Sequence, residues 1–265
     1  MRFLRWAGLV LAILGATLLT QVGGLAVLAG WGLARWLRRG MGTAILGFSA
    51  VYAVLTLVVV PPLADLTGRE RLPCFATQDS PYQAATPLLC VLNRTYVTPA
   101  LHQVLRGLSA DMARKFPGTL TVYLDGNFPF FDGFPLLPHL SHQDGRKLDI
   151  AFYYKGAPGE LRSPIGYWAF EMPQPGEEDR CGKQSGPTLR WDMAAIQSWF
   201  PSLAVDEPRT RSALVWLSTE GVAMGVDRIF VEPHLVSRWA VAAPAIRFQG
   251  CRAARHDDHI HFQVK

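Results

Sequence analysis

No acidic residue precedes Asp65, and no charge of either sign lies between Arg5 and Arg35 or between Arg39 and Asp65. Charged residues make up only 18% of the 265-residue chain, whereas 49% is hydrophobic. Mean hydropathy is +0.14. Low charge and high apolar content exclude a disordered chain, and 24 glycines without a period of three exclude a collagen-like one. The apolar excess is concentrated at the amino-terminal end, which argues against a wholly soluble protein. Residues 1–62 carry five arginines and no acid; the rest holds 21 basic and 21 acidic residues. The pI of about 9.2 therefore comes from arginines beside apolar runs. It gives no support to a nucleic-acid partner. Internal repeats and a regular βαβ rhythm are also missing, as is any C-x-x-C pair that would suggest a four-thiolate zinc site.

What is present begins with two long apolar runs. A membrane span needs about 20 mostly apolar residues. Trp6–Ala34 and Gly40–Ala64 both exceed that. They predict a two-helix transmembrane hairpin, with spans at about 6–34 and 40–64, as an anchor over residues 1–66. Arg35, Arg38 and Arg39 in the turn place it on the cytoplasmic side, with Trp31 and Trp36 in an interfacial belt. Both ends of the hairpin then face outward. A rival reading takes Arg2–Leu19 as a cleaved signal peptide, but the apolar run continues past a normal h-region without a clear A-x-A site.

All four cysteines, Cys74, Cys90, Cys181 and Cys251, follow the second run. An even set beyond a membrane anchor suits an oxidising compartment. Four cysteines allow three pairings; Cys74–Cys90 with Cys181–Cys251 is favoured because the first pair closes a short loop.

Residues 67–265 read as an extracytoplasmic α+β domain. Thr98-Pro99 starts a helix whose Leu101, Val104, Leu105, Leu108 and Met112 share a face until Pro117-Gly118. Thr119–Leu124, Arg146–Tyr154, Arg228–Val231 and His259–Val264 read as strands. Trp191–Phe200, Pro208–Met224 and Pro233–Val241 read as helical. Met172–Pro187 reads as an exposed loop over or beside a site. Trp168, Trp191, Trp199, Trp216 and Trp239 read as core or rim aromatics, and His102 and His234 as ordinary residues, His102 on the exposed side of its helix.

Five of the seven histidines fall in two short segments, His139-Leu-Ser-His142-Gln-Asp-Gly-Arg-Lys-Leu-Asp149 and His256-Asp-Asp-His259-Ile-His261. In a strand, residues two apart point to the same side, so His259 and His261 present two imidazoles to one site. His142 lies in a Gly-containing turn, and Asp149 on a strand that can lie beside it. Two imidazoles and a carboxylate around zinc leave a fourth tetrahedral position for water, the pattern of a catalytic site. An unligated imidazole nearby can take that water's proton. Asp257 and Asp258 are candidates to orient the neighbouring rings.

The segment SHQDGRKLD resembles the S-H-Q-x-G-x-x-x-D motif of the penicillin-insensitive murein endopeptidases, and HDDHIH resembles their closing motif. These belong to the lysostaphin/D-Ala-D-Ala-peptidase/hedgehog metallopeptidase group. The similarity extends over roughly residues 120–262, including Arg228-Ile-Phe-Val-Glu-Pro. It implies a small antiparallel-sheet zinc peptidase domain with His142, Asp149 and His261 as ligands of one Zn2+. His259 would be the catalytic imidazole, with His256 and His139 as accessory catalytic histidines. The implied activity is hydrolysis of D-Ala–meso-diaminopimelate cross-links of bacterial peptidoglycan, without a serine nucleophile. With the anchor, this places the protein in the inner membrane, touching the lipid bilayer through its helices, with its catalytic domain in the periplasm. Lys147 stands where a second acid is common in that family and Pro138 where glycine is usual, and the soluble members have no hairpin. Two alternatives remain. One is a D,D- or L,D-carboxypeptidase, with Arg146 or Arg162 pairing a free substrate carboxylate. The other is a non-catalytic zinc-containing binding or scaffold domain.

Overall fold

The computed structural model describes residues 2–182 and 186–265. Its first apolar run is not one helix. Gln21 is left-handed at φ +64°, and the run splits there into α1 (Arg2–Thr20) and α2 (Gly23–Trp36). Helix α2 turns back along α1, so the Trp6 and Trp31 rings meet at 5.4 Å between centroids. Gly24 permits the close approach, since a Cβ there would lie 2.1 Å from the Thr17 hydroxyl and 3.0 Å from the Ile13 carbonyl oxygen.

After the basic turn come α3 (Met41–Val54), a π-helical turn (Leu55–Val59) and α4 (Val60–Leu66). Together they form one continuous helix, Met41–Leu66, of 26 residues. Among the described residues it alone is long and apolar enough to cross a membrane. The π turn precedes Pro61 and Pro62, which have no N–H to continue the ordinary ladder. Helices α2 and α3 meet at glycines: a Cβ on Gly30 would lie 2.5 Å from both the Ala44 carbonyl oxygen and the Phe48 nitrogen.

The expected two-helix hairpin is thus replaced by three antiparallel helical segments. The reason is a tertiary contact at the break. The Gln21 side chain accepts from the Phe130 backbone N–H (2.9 Å) and donates to its carbonyl (3.0 Å). The start of α1 and the basic turn therefore lie at the same end of the bundle, opposite the folded domain. This corrects the expectation that both ends of the anchor face one way.

Beyond the bundle, β1 (Glu70–Arg71) pairs with β3 (Tyr96–Val97). The chain continues through β2 (Tyr82–Ala84), α5 (Pro87–Val91), α6 (Pro99–Lys115), β4 (Thr121–Tyr123) and β5 (Lys147–Ala151). It finishes with α7 (Ala194–Gln197), α8 (Glu207–Ser218), α9 (Glu220–Ala223), β6 (Val226–Phe230), α10 (Pro233–Arg238), β7 (Ile246–Arg247) and β8 (His259–Val264). Six strands form one sheet in the order β2-β4-β5-β8-β6-β7. Its centre is antiparallel, but the β2–β4 and β6–β7 pairs are parallel. The sheet is therefore mixed rather than wholly antiparallel. The segments holding α6 and α10 cross over between strands that run the same way.

Thr98 caps α6, its hydroxyl accepting from the Leu101 N–H. Leu101, Val104, Leu105, Leu108 and Met112 are fully buried and join the sheet's inner face in the main core. Cys74 is bonded to Cys90 and Cys181 to Cys251, the pairing favoured by loop length. Trp216 and Trp239 are core residues, while Trp191 and Trp199 are exposed. The Met172–Pro187 stretch is mostly exposed and is tied down by the second disulfide and by Arg238 on Glu177; residues 183–185 of it lie outside the described residues. His102 is not on an exposed face: its ring bonds Tyr82 and Glu70.

Candidate metal centre

Strands β5 and β8 create the site by register. In their antiparallel ladder Asp149 stands opposite His261 and Ala151 opposite His259. Directly paired side chains share a face at about 5 Å between Cβ atoms. The two-residue period then puts His259 on that face as well. The third group comes from the loop between β4 and β5. Asn127 shapes that loop, its side chain accepting from the Gly145 N–H and donating to the Lys147 carbonyl. Arg69 holds it from below by donating to the Phe128 carbonyl and pairing with Asp132.

His142, Asp149 and His261 form a buried group whose donor atoms can hold a metal ion. His142 Nε2 lies 3.3 Å from Asp149 Oδ1 and 3.2 Å from His261 Nδ1, and the last two atoms are 2.8 Å apart. Donors about 2.0–2.2 Å from a tetrahedral zinc ion would be about 3.3–3.5 Å from one another. Two edges of the triangle nearly match, and the third needs only a small opening. The donor set suits zinc chemically, with two imidazoles and a carboxylate. His142 is also correctly oriented: its Nδ1 is 2.9 Å from the Gly126 carbonyl oxygen, so the N–H points there and Nε2 is free.

Burial sets the charges. It opposes ionisation of Asp149, but the His142, His259 and His261 rings outweigh it and hold the carboxyl well below its usual range. Burial pushes His261 down to about 4, favouring the neutral, ligating form. On His142 burial also opposes charge, but the adjacent Asp149 prevails and raises it. His259 behaves differently from His261. Despite burial, Asp258 and Asp149 push it up to about 9, and its Nδ1 is 2.5 Å from Asp258 Oδ1. The far nitrogen, Nε2, stands 3.7 Å from Asp149 Oδ1. His259 is thus an oriented, basic imidazole at the edge of the donor triangle.

The remaining expected residues are also gathered here. His256 packs between Phe230 and the His259 and His261 rings, and burial holds it well below its usual range, hence neutral. His139 Nδ1 lies 3.0 Å from Asp125 Oδ2 and 3.4 Å from Asp149 Oδ2. Its side chain is 20% exposed, against 6% or less for the other four clustered histidines and Asp149. His139 is therefore the member of the cluster nearest to solvent. Of the two candidate orienting acids, Asp258 performs that role, also accepting from the Trp168 N–H, whereas Asp257 pairs with Arg255. Arg162 is engaged by Glu171 and the Leu203 carbonyl. Lys147 pairs with Asp144.

Three residues of the site are not apparent from the sequence. The Tyr167 hydroxyl donates to Asp149 Oδ2 at 2.7 Å and accepts from the Asp125 N–H at 3.1 Å. Burial, with Asp149 and Asp125 beside it, raises the phenol well above its ordinary value, so it remains a donor. Asp125 is held bidentately by Arg94 at 2.6 and 2.8 Å. Burial opposes its charge, but His139 and Arg94 bring it down to about 2. Asp125 simply follows the Thr119–Leu124 strand, and Tyr167 lies in irregular chain with no spacing that ties it to the histidines. The chain matches no protein-family model and no curated protein, so the chemistry of this cluster carries the functional argument.

Proposed function

We propose that this chain is a membrane-anchored zinc metallopeptidase that hydrolyses peptide cross-links of bacterial peptidoglycan, as an endopeptidase of the D-Ala–meso-diaminopimelate type. The observation that carries the reading is the combination of a three-donor triangle with a fourth, carboxylate-oriented imidazole, His259, beside it. A purely structural site has no use for an oriented base next to its ligands. The resemblance of SHQDGRKLD and HDDHIH to the murein endopeptidase motifs supplies the substrate class, and the two disulfides suit an extracytoplasmic domain.

His142, Asp149 and His261 would hold the ion. Bound zinc supplies a Lewis acid for the scissile carbonyl and makes water ionisable near neutral pH. With a cation's charge in the triangle favouring its neutral form, His259 would take a proton from the attacking water and return it to the departing amine, with Asp258 fixing its tautomer. Tyr167 keeps Asp149 aimed by bonding the oxygen that faces away from the triangle. His139, the member nearest to solvent, is placed to donate to a substrate carbonyl. His256, neutral and buried, supports the ring stack from behind. Helix Met41–Leu66 would anchor the domain in the inner membrane, facing the periplasm.

The test is digestion of purified sacculi by the full-length protein in detergent, with zinc content measured in parallel. Conversion of cross-linked dimers to monomers is the expected result. Shortened stems alone would identify a carboxypeptidase, for which the exposed Arg146 is the available carboxylate partner, since Arg162 is engaged by Glu171. Bound zinc with no product would leave a scaffold.

A further inference from the structure

We propose that all three amino-terminal segments lie in the bilayer, with the start of α1 and the basic turn on the cytoplasmic side. Leu88, Val91 and Phe131 would then seat the folded domain directly in the outer headgroup layer. The partner is a phospholipid bilayer, and the inference rests on the membrane placement in the reading above.

The first support is the distribution of charge. Arg2 and Arg5 belong to the first turns of α1, while Arg35, Arg38 and Arg39 belong to the end of α2 and the turn after it. The antiparallel fold gathers all five at one end. In a two-span hairpin they would divide between both membrane faces, and the positive-inside rule would barely discriminate. Aromatic rings mark the same level: Trp6 packs on Trp31, and the Arg35 guanidinium sits 5.3 Å above the Trp31 ring. Trp and Arg grouped in this way are typical of an interface with anionic headgroups.

The second support is that α1 is built into the domain. Thr20 and Val22, at its carboxyl end, are buried. Asn93 donates toward the Thr20 carbonyl and the Thr56 hydroxyl (3.4 and 3.3 Å), and Val22 packs with Val60, Ala64 and Tyr96. A signal peptide destined for removal would leave those groups without partners.

The third is length. From Trp6 to Thr20 and from Gly23 to Trp36 the helices cover only about 21–23 Å. A hydrocarbon core is about 30 Å thick. The shortfall falls at the domain end, where exposed apolar side chains are waiting. Leu88 is 54% and Val91 51% exposed on α5, and the Tyr52 hydroxyl of α3 donates to the Val91 carbonyl. Phe131 is 76% exposed and follows Phe130, the residue clamped by Gln21. Meanwhile Leu11, Leu14, Leu25, Leu46, Leu57 and Val58 face outward from the bundle with no protein over them. Lipid satisfies both sets at once.

The consequence concerns substrate choice. The loop from Phe130 to His142, which includes His139, runs from the bundle to the metal centre. A site held at this height reaches stem peptides at the membrane surface and not those in distant wall layers.

All four native cysteines are in disulfides, so engineered thiols report cleanly. Leu4→Cys, Gly40→Cys and Ala110→Cys are placed singly in the full chain and treated with a membrane-impermeant maleimide on intact spheroplasts. The expected pattern is labelling of A110C alone, with L4C and G40C reacting only after permeabilisation. Labelling of L4C together with A110C, or a mature chain whose intact mass lacks α1, would overturn the arrangement. For the seat, Phe131→Cys carrying a nitroxide in phosphatidylethanolamine/phosphatidylglycerol vesicles should be relaxed by oxygen and shielded from a water-soluble nickel chelate, the reverse of A110C. Equal nickel access at both positions would remove it. Sacculus digestion by the same variants is read separately, so a failed topology is distinguishable from a failed peptidase assignment.

Discussion

His259 and His261 are two residues apart on one strand face, yet their surroundings give them different work. Burial holds His261 neutral although Asp149 stands opposite it in the ladder, while on His259 the carboxylates of Asp258, at its Nδ1, and Asp149 overcome burial and raise it. His259→Ala should therefore lower hydrolysis by at least about 100-fold while bound zinc, measured by elemental analysis, stays near one per chain. Tyr167→Phe removes the donor to Asp149 Oδ2 and leaves the buried Asp125 N–H without its acceptor. Outer groups of this kind are worth about 10–100-fold in metal affinity, and a zinc competition titration should show a loss of that size with the fold retained. Much of this site was legible at the level of spacing. The H-x-H pair on a strand and the two histidine-rich segments mark the site by spacing, but spacing alone pairs His259 with His261; the choice of His142, Asp149 and His261 as the donor set comes only from the motif resemblance. Arg94, Asp125 and Tyr167 were not legible, because only folding brings Arg94 beside Asp125, 31 positions away, and Tyr167 beside Asp149 and Asp125, 18 and 42 positions away.

Helix α6 shows how far local signals reach at the level of elements. Its cap, its first-turn proline and its apolar spacing are all local, and the helix forms where they indicate. The split of the first apolar run is a different case. Polar Thr20-Gln21 and the Gly23-Gly24 pair are its local signs within the run, but the left-handed Gln21 is stabilised by a backbone segment 109 residues later. Close helix contacts supply predictions at this scale. A Cβ on Gly107 of α6 would lie 2.9 Å from the Trp216 ring of α8. Gly107→Ala gains helix propensity of about 1 kcal/mol, but forcing the ring aside costs about 1–3 kcal/mol. Chemical denaturation of the variant should show no stabilisation and a net loss of up to about 2 kcal/mol. Gly30→Leu drives a side chain into the α3 backbone. It should lower the thermal stability of the detergent-solubilised full chain, while the same change at Gly32, which has open space around its Cβ position, should not.

At the scale of the whole molecule, the bundle and the mixed sheet are joined through the loop that carries His142. Gln21 holds Phe130, Arg69 holds Phe128, and Asn127 holds the loop's far end. The parallel edges of the sheet were hidden from the sequence because strand direction depends on how crossover segments pass, which local patterning does not encode. The account requires the metal to be intrinsic to function. Dialysis of the full-length protein against a chelator should abolish sacculus hydrolysis, and one equivalent of zinc should restore it. The most direct measurement is anomalous scattering at the zinc edge from crystals of the zinc-loaded protein. The account predicts a single peak at about 2.0–2.2 Å from His142 Nε2, Asp149 Oδ1 and His261 Nδ1. It also predicts a coordination corner open toward His259. Zinc-saturated crystals with no peak at that triangle, or with His259 as a ligand in place of Asp149, would contradict it.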